Sequence, residues 1–269
     1  MPVEPFSISD HLEAAIASRD QCHSYIQQAF FHDPAQAAVD YACINRKAMG
    51  QNSWLHSLLT EGMPFGDITA QVAGGVIGAV AVGEGGTREG RFLDSHTHKA
   101  TVFFRAVAKA AGVTAPEPTD LTTRTAKRLY PNFLTLANSG LYAPGSTDWF
   151  LEMLGRCFAS EFTAARATSG RDEFGLVAGR FQERHPEIWG VLSKAESAWL
   201  LEHTGEEESG SSDDTLEDEH LGYVTSAVNM AASYVIEQGQ NQKPEIAIMA
   251  GVDHWTMRLE NFFAHWATL

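Results

Sequence analysis

Apolar side chains recur every three to four positions along most of this chain, and runs that alternate β-branched and aromatic residues with polar ones are few. That period predicts helices at roughly 8–30, 35–60, 67–84, 94–111, 146–168, 172–183, 186–204, 214–237 and 245–267. Ser7 or Ser9, Asp67, Ser146 to Asp148, and Asp213 or Asp214 stand where N-caps are wanted, while Gly85, Gly86, Gly112 and Gly239 stand where helices should stop. The stretch 112–145, with Pro116, Pro118, Pro131 and Pro144, is expected to connect elements across one end of a bundle. The expectation is an all-α fold. With 269 residues and 44% hydrophobic composition the chain can bury one core, so residues 1–269 are read as a single helical domain.

Residues spaced by 3, 4, 7 and 11 share a helix face, which tests the direction of every polar side chain within these stripes. In "STDWFLEMLGRCFASEFTAA" the stripe Phe150, Leu154, Cys157, Phe158 arrives at Glu161. In "GDITAQVAGGVIGAVAVGEGG" the stripe Ala73, Ile77, Val80 arrives at Glu84. His96 is continuous with Ala100, Phe103 and Val107, whereas His98 shares its face with Arg105 and Lys109. Ile188, Leu192, Ala195 and Trp199 lead to His203, and His220, one turn after Glu217, leads into Val224, Ala227 and Ala231. The inward set is therefore Glu84, His96, Glu161, His203, Glu217 and His220.

Taken singly, each has a structural explanation: an inward histidine hydrogen-bonded in the core, Glu84 at a helix end, and the run "HTGEEESGSSDDTLEDEH" as a solvated acidic loop. Jointly they point elsewhere. An ionised carboxylate buried without compensation costs several kcal/mol or more, and a divalent cation supplies the compensation. Carboxylates and neutral imidazoles drawn from four helices of a bundle are the donor set of a di-iron or di-manganese centre. His185 and His254 are read as structural.

Charge narrows the partners. A formal net charge of -15 argues against nucleic acid or an anionic membrane as partner, since either needs a basic face, and points to a small molecule. Three cysteines, Cys22, Cys43 and Cys157, without a CxxC pair, suggest neither a disulfide framework nor a thiolate zinc site, and a reducing cytoplasm fits. No targeting signal and no membrane span are expected from the sequence.

The order of these residues resembles that of the haem-oxygenase-like dimetal oxidases, from about residue 70 to the end of the chain. "VGEGG" with Glu84 is similar to the family's first ligand, and His96 with Phe103 and Phe104 to its second. "LGRCFASEF" supplies Glu161, and "LEDEHLGYV" through Gly251 matches the family's ending, with Glu217 and His220. One position departs: where the family has a histidine four residues before the acid, this chain has Asp213, so either Asp213 serves or His203 folds back, the latter being favoured. A register pairing His203 with Glu207 is weakened by Gly210 at the third position.

The resemblance implies a haem-oxygenase-like helical bundle holding two Fe(II) ions with O2 as co-substrate. It further implies C–H functionalisation of a small aliphatic amino acid such as isoleucine, by desaturation, C–N ring closure or cleavage; within the family the chain is most similar to the azetidine-forming branch, in antibiotic biosynthesis. Arg105, Arg156, Arg166 and Arg171 are open as partners for a substrate carboxylate. An external electron donor and a homodimer are left open. Two other readings stand beside this one: a metal-free, thiaminase-like enzyme using a buried Cys157, and a non-catalytic helical binding protein whose inward acids pair with buried arginines.

Overall fold

The computed structural model describes residues 6–44, 68, 71–72, 78, 80, 96–114, 140–167, 170–201 and 216–268, and every regular element among them is helical. The helices are α1 (Glu13–Gln28), α2 (Pro34–Ile44), α3 (His96–Ala110), α4 (Thr147–Ala164), α5 (Glu173–Arg184), α6 (Pro186–Trp189), α7 (Lys194–Leu201), α8 (Leu216–Glu237) and α9 (Pro244–Trp266). None of the described helices is long and apolar enough to cross a membrane.

The fold is built around α4. The Ser146 side chain accepts the Trp149 N–H at its start, as an N-cap should, and every residue from Trp149 to Ala164 is buried. A helix buried all round is a central one. Helices α8 and α9 pack on α4, and α1 packs on α9 and α5. Helix α9 approaches most closely because two glycines meet at the crossing. A Cβ on Gly155 would lie 2.1 Å from the Ile248 carbonyl oxygen, and one on Gly251 would lie 2.1 Å from that of Glu152. Helices α2 and α7 pack on α3. There an aromatic cluster fills the core: Tyr41 stacks on Trp266 at 5.3 Å and lies 4.9 Å from Trp199, which in turn lies 5.7 Å from Phe103.

Several sequence expectations hold in detail. Gly112 (φ +70°) and Gly239 (φ +68°) adopt the left-handed conformation where α3 and α8 end, which lets the chain turn without a Cβ clash. Two expectations are corrected. The helix placed at 8–30 begins as a 3-10 turn, Ile8–His11, and the α-helix starts only at Glu13. The Ser7 side chain makes no capping bond there; the turn is tied instead by the Ile8 N–H donating to Asn229 Oδ1 at 2.9 Å.

The helix placed at 186–204 is two helices, α6 and α7. Ser193 and Glu196 form a reciprocal capping box, with the Ser193 N–H donating to Glu196 Oε2 at 2.8 Å and the Glu196 N–H reaching Ser193 Oγ at 3.4 Å. A new helix therefore starts at Lys194, and Ala195 is exposed rather than inward. The stripe proposed to lead to His203 is broken at this turn. Of the helix expected at 67–84, Ile68, Val72 and Val80 are buried. Residues 45–67, 81–95, 115–139 and 202–215, with Asp67, Glu84, Gly85, Gly86, His203, Asp213 and Asp214, lie outside the described residues.

Candidate metal centre

Glu161 sits in the last turn of α4 and His220 in the first turns of α8, and the packing of these two helices brings the side chains together. Glu161 Oε2 lies 3.4 Å from His220 Nδ1, with the side chains 1% and 2% exposed. The direction of His220 follows from its stripe, since Val224, Ala227 and Ala231 are all buried. The direction of Glu161 does not, because α4 has no exposed face over this span. What selects Glu161 is its neighbour, an imidazole from another helix.

His96, 3% exposed, opens α3 above the buried Ala100, Phe103 and Val107, while His98 is half-buried and Arg105 and Lys109 are exposed. The inward choice of His96 over His98 therefore agrees with the fold. Glu217 lies in α8 one turn before His220, with its side chain outside the described part. Glu84, His203 and the alternative Asp213 are outside it altogether. Among the described residues no group of three or more His, Cys, Asp or Glu side chains is placed to hold a metal ion. The described structure brings together two of the six candidates, Glu161 and His220. In kind, a carboxylate oxygen and an imidazole nitrogen converging from two helices inside an apolar core fit a divalent transition metal.

The surroundings of the pair are polar residues that the stripe pattern does not mark. The His23 Nε2–H donates to the Thr163 carbonyl at 2.9 Å, anchoring α1 to the end of α4 two residues beyond Glu161. Burial, outweighing the Thr163 bond and the Glu173 charge, lowers the His23 pKa, so this imidazole is held neutral. Arg19 lies over the Phe162 ring at 4.5 Å. Asp218, two residues before His220, accepts from the Arg166 N–H at 3.5 Å and lies 3.7 Å from Arg166 Nε, fastening the start of α8 to the segment after α4. Cys157, one turn before Glu161, is buried, and burial followed by the Glu161 charge pushes its thiol pKa far up.

A second polar group in α4 serves the fold. Arg156 Nη2 donates to Glu152 Oε1 at 2.5 Å, both side chains being fully buried, and Glu152 Oε2 accepts the Leu141 N–H at 2.8 Å. Arg156 is thus engaged in the core, which removes it from the arginines open to a substrate carboxylate. The spacing of Glu152 and Arg156, four residues on a helix, is a legible ion-pair spacing. His185 is structural as expected, its Nε2 bonded to the Phe31 carbonyl.

A cleft of about 360 Å³ opens beside this region, lined by Arg166, Arg171, Asp172, Gly179, Gln182 and Trp189 among others. No family model matches the chain, and neither a curated protein nor a solved structure matches it.

Proposed function

We propose that this chain is a non-haem dimetal oxidase or oxygenase with a haem-oxygenase-like helical bundle, acting on a small aliphatic amino acid. The observation that supports it is the convergence of Glu161 and His220, chosen from the sequence on different helices, at 3.4 Å in the core. In this reading Glu84, His96, Glu161, His203, Glu217 and His220 hold two Fe(II) ions. Those ions, when bound, supply O2 activation and removal of hydrogen from an unactivated C–H bond. The chain's own contribution is exclusion of water and rigid placement of donors. Glu161 is held by a helix buried on every side, and His220 by a helix fastened through Asp218 to Arg166. The outcome is desaturation, C–N ring closure such as azetidine formation, or cleavage.

The two rival readings fit less well. A thiaminase-like mechanism needs a thiolate, and a thiol with a strongly raised pKa is a poor nucleophile at neutral pH. A binding protein stabilised by acid–arginine pairs fits Glu152, which does face Arg156, but Glu161 faces an imidazole.

The test is O2 uptake by Fe(II)-loaded protein across small aliphatic amino acids, fatty acids and aromatic acids. Uptake that depends on an amino acid, with isoleucine and valine among the active ones, is expected. Uptake confined to fatty acids, or none with any substrate, would overturn the reading.

A further inference from the structure

Helix α9 buries one side and leaves the other uncovered, and the uncovered side carries an ordered pattern. Ile248, Val252, Trp255, Leu259 and Phe262 face inward and are at most 1% exposed. On the opposite side Ile246, Ala250, Met257 and Ala264 recur at helical spacing, forming a narrow seam along the helix. Ile246 is 58% and Met257 51% exposed. A lone exposed apolar side chain is ordinary; two on one line of one helix, with small residues on the same line, form a surface another helix can lie along.

Charges flank this seam in order. On a helical projection Glu245 and Glu260 fall on one side of it, and Lys243, the N-cap, and Arg258 fall on the other. They stand at two levels, Lys243 with Glu245 at the start of α9 and Arg258 with Glu260 near its end. None of the four is buried. Among the described residues none of them makes an ion pair, and Glu260 accepts the Ser18 hydroxyl at 2.9 Å. His254, on the Lys243 side, is kept neutral: burial, and then the charges of Arg156 and Arg258, lower its pKa.

Symmetry decides what such a pattern fits. When two copies of a helix lie side by side about a two-fold axis parallel to them, residues of the same number stand at the same level, and one flank of each copy faces the other flank of its partner. About a two-fold axis perpendicular to the helices, each flank faces its own copy. In the first arrangement acids face bases at both levels of α9; in the second like charges meet. On a chain of net charge -15 two copies repel, and contact is favoured only where charges offset one another.

We propose that the outer face of α9 is a self-association surface, on which a second copy of this chain lays its own α9 in parallel about a two-fold axis running along the helix. Ile246, Ala250, Met257 and Ala264 pack across the axis, and Glu245 and Glu260 face the partner's Lys243 and the partner's Arg258. Asp253 lies in the seam and meets the partner's Asp253, where a polar residue fixes the register at a cost in stability. The pairing does not rest on the metal reading: α4, which carries Glu161, packs on the opposite side of α9, at Gly251.

The test is sedimentation equilibrium of the full, metal-free chain over a concentration series, in which a monomer–dimer equilibrium is expected. E245K/E260K makes both flanks of the seam basic, and K243E/R258E makes both acidic. Each variant alone is expected to pair at least about tenfold more weakly, and an equimolar mixture of the two to pair again with at least the parental affinity. D253N removes like charges from the seam and is expected to pair at least about threefold more tightly. I246C and M257C, at exposed positions that leave the fold alone, read the direction: on mild oxidation each is expected to cross-link to itself. The proposal is overturned by a parent that stays monomeric throughout the series, by charge variants that pair like the parent or do not pair on mixing, by D253N pairing no more tightly, or by cysteine variants that cross-link only with each other. Should the charge variants fail to melt cooperatively, D253N and the two cysteine variants decide.

Discussion

Glu161 Oε2 and His220 Nδ1 face each other at 3.4 Å between α4 and α8, each side chain almost wholly buried. The relationship joins residues 59 positions apart in sequence and ties α4 to α8 through a buried polar contact. Substituting each by glutamine, singly and together, is expected to show a coupling of about 0.5–3 kcal/mol in urea unfolding of the metal-free chain. Additive single effects would show that the contact contributes nothing.

Metal binding is more sensitive than stability to the same change. Loss of a group that only orients a metal ligand weakens binding about 10–100-fold, so loss of a ligand should cost at least about 100-fold. Glu161→Gln should therefore show that loss in anaerobic Fe(II) titration, with its far-ultraviolet circular dichroism unchanged. Parental affinity would remove Glu161 from the ligand set.

The crossing of α4 and α9 should tolerate no side chain at its glycines. Gly251→Ala places a methyl group 2.1 Å from a main-chain oxygen, and neither helix can retreat without opening the core. A loss of about 1–3 kcal/mol or more is expected, read as a lower melting temperature. Gly179→Ala is the control: its Cβ meets nothing, and the change should be neutral or stabilising. Equal effects of the two would contradict the close crossing.

How far the sequence revealed this architecture depends on what each residue's signal was. The helices of α3, α4, α8 and α9 were legible because their period was unbroken and their ends carried Ser146, Gly112 and Gly239. The break between α6 and α7 was missed because Ile188, Leu192 and Trp199 kept a helical spacing across it, although the Ser193–Glu196 capping box was there to be read. Burial of His96 and His220 was legible from their stripes, whereas Glu161 lies in a helix buried on every side, where a stripe separates nothing. The meeting of Glu161 with His220 was not legible, since a stripe gives direction and not depth along a neighbouring helix. His23 was missed for a related reason: its bond is to a main-chain carbonyl of α4, which leaves no mark in the side-chain pattern.

Acid should act on the fold through His23. Burial lowers its pKa below the ordinary value of about 6.5, so the unfolded chain takes up this proton at a higher pH than the folded one. The neutral ring's contribution to stability is fully present above about 6.5 and is lost as the pH falls from there toward the folded pKa. His23→Gln keeps a donor for the Thr163 carbonyl without a titrating ring. Between pH 8 and pH 5 its melting temperature should fall less than that of the parent, and parallel curves would contradict the assignment.

The dimetal reading stands or falls on stoichiometry, which anaerobic titration of the full chain with Fe(II), then removal of unbound metal and analysis of what remains, measures directly. The account predicts two irons per chain in the parent, falling in Glu161→Gln and in His220→Gln. Saturation at zero or one iron in several buffers, or two irons that both substitutions leave in place, would contradict it.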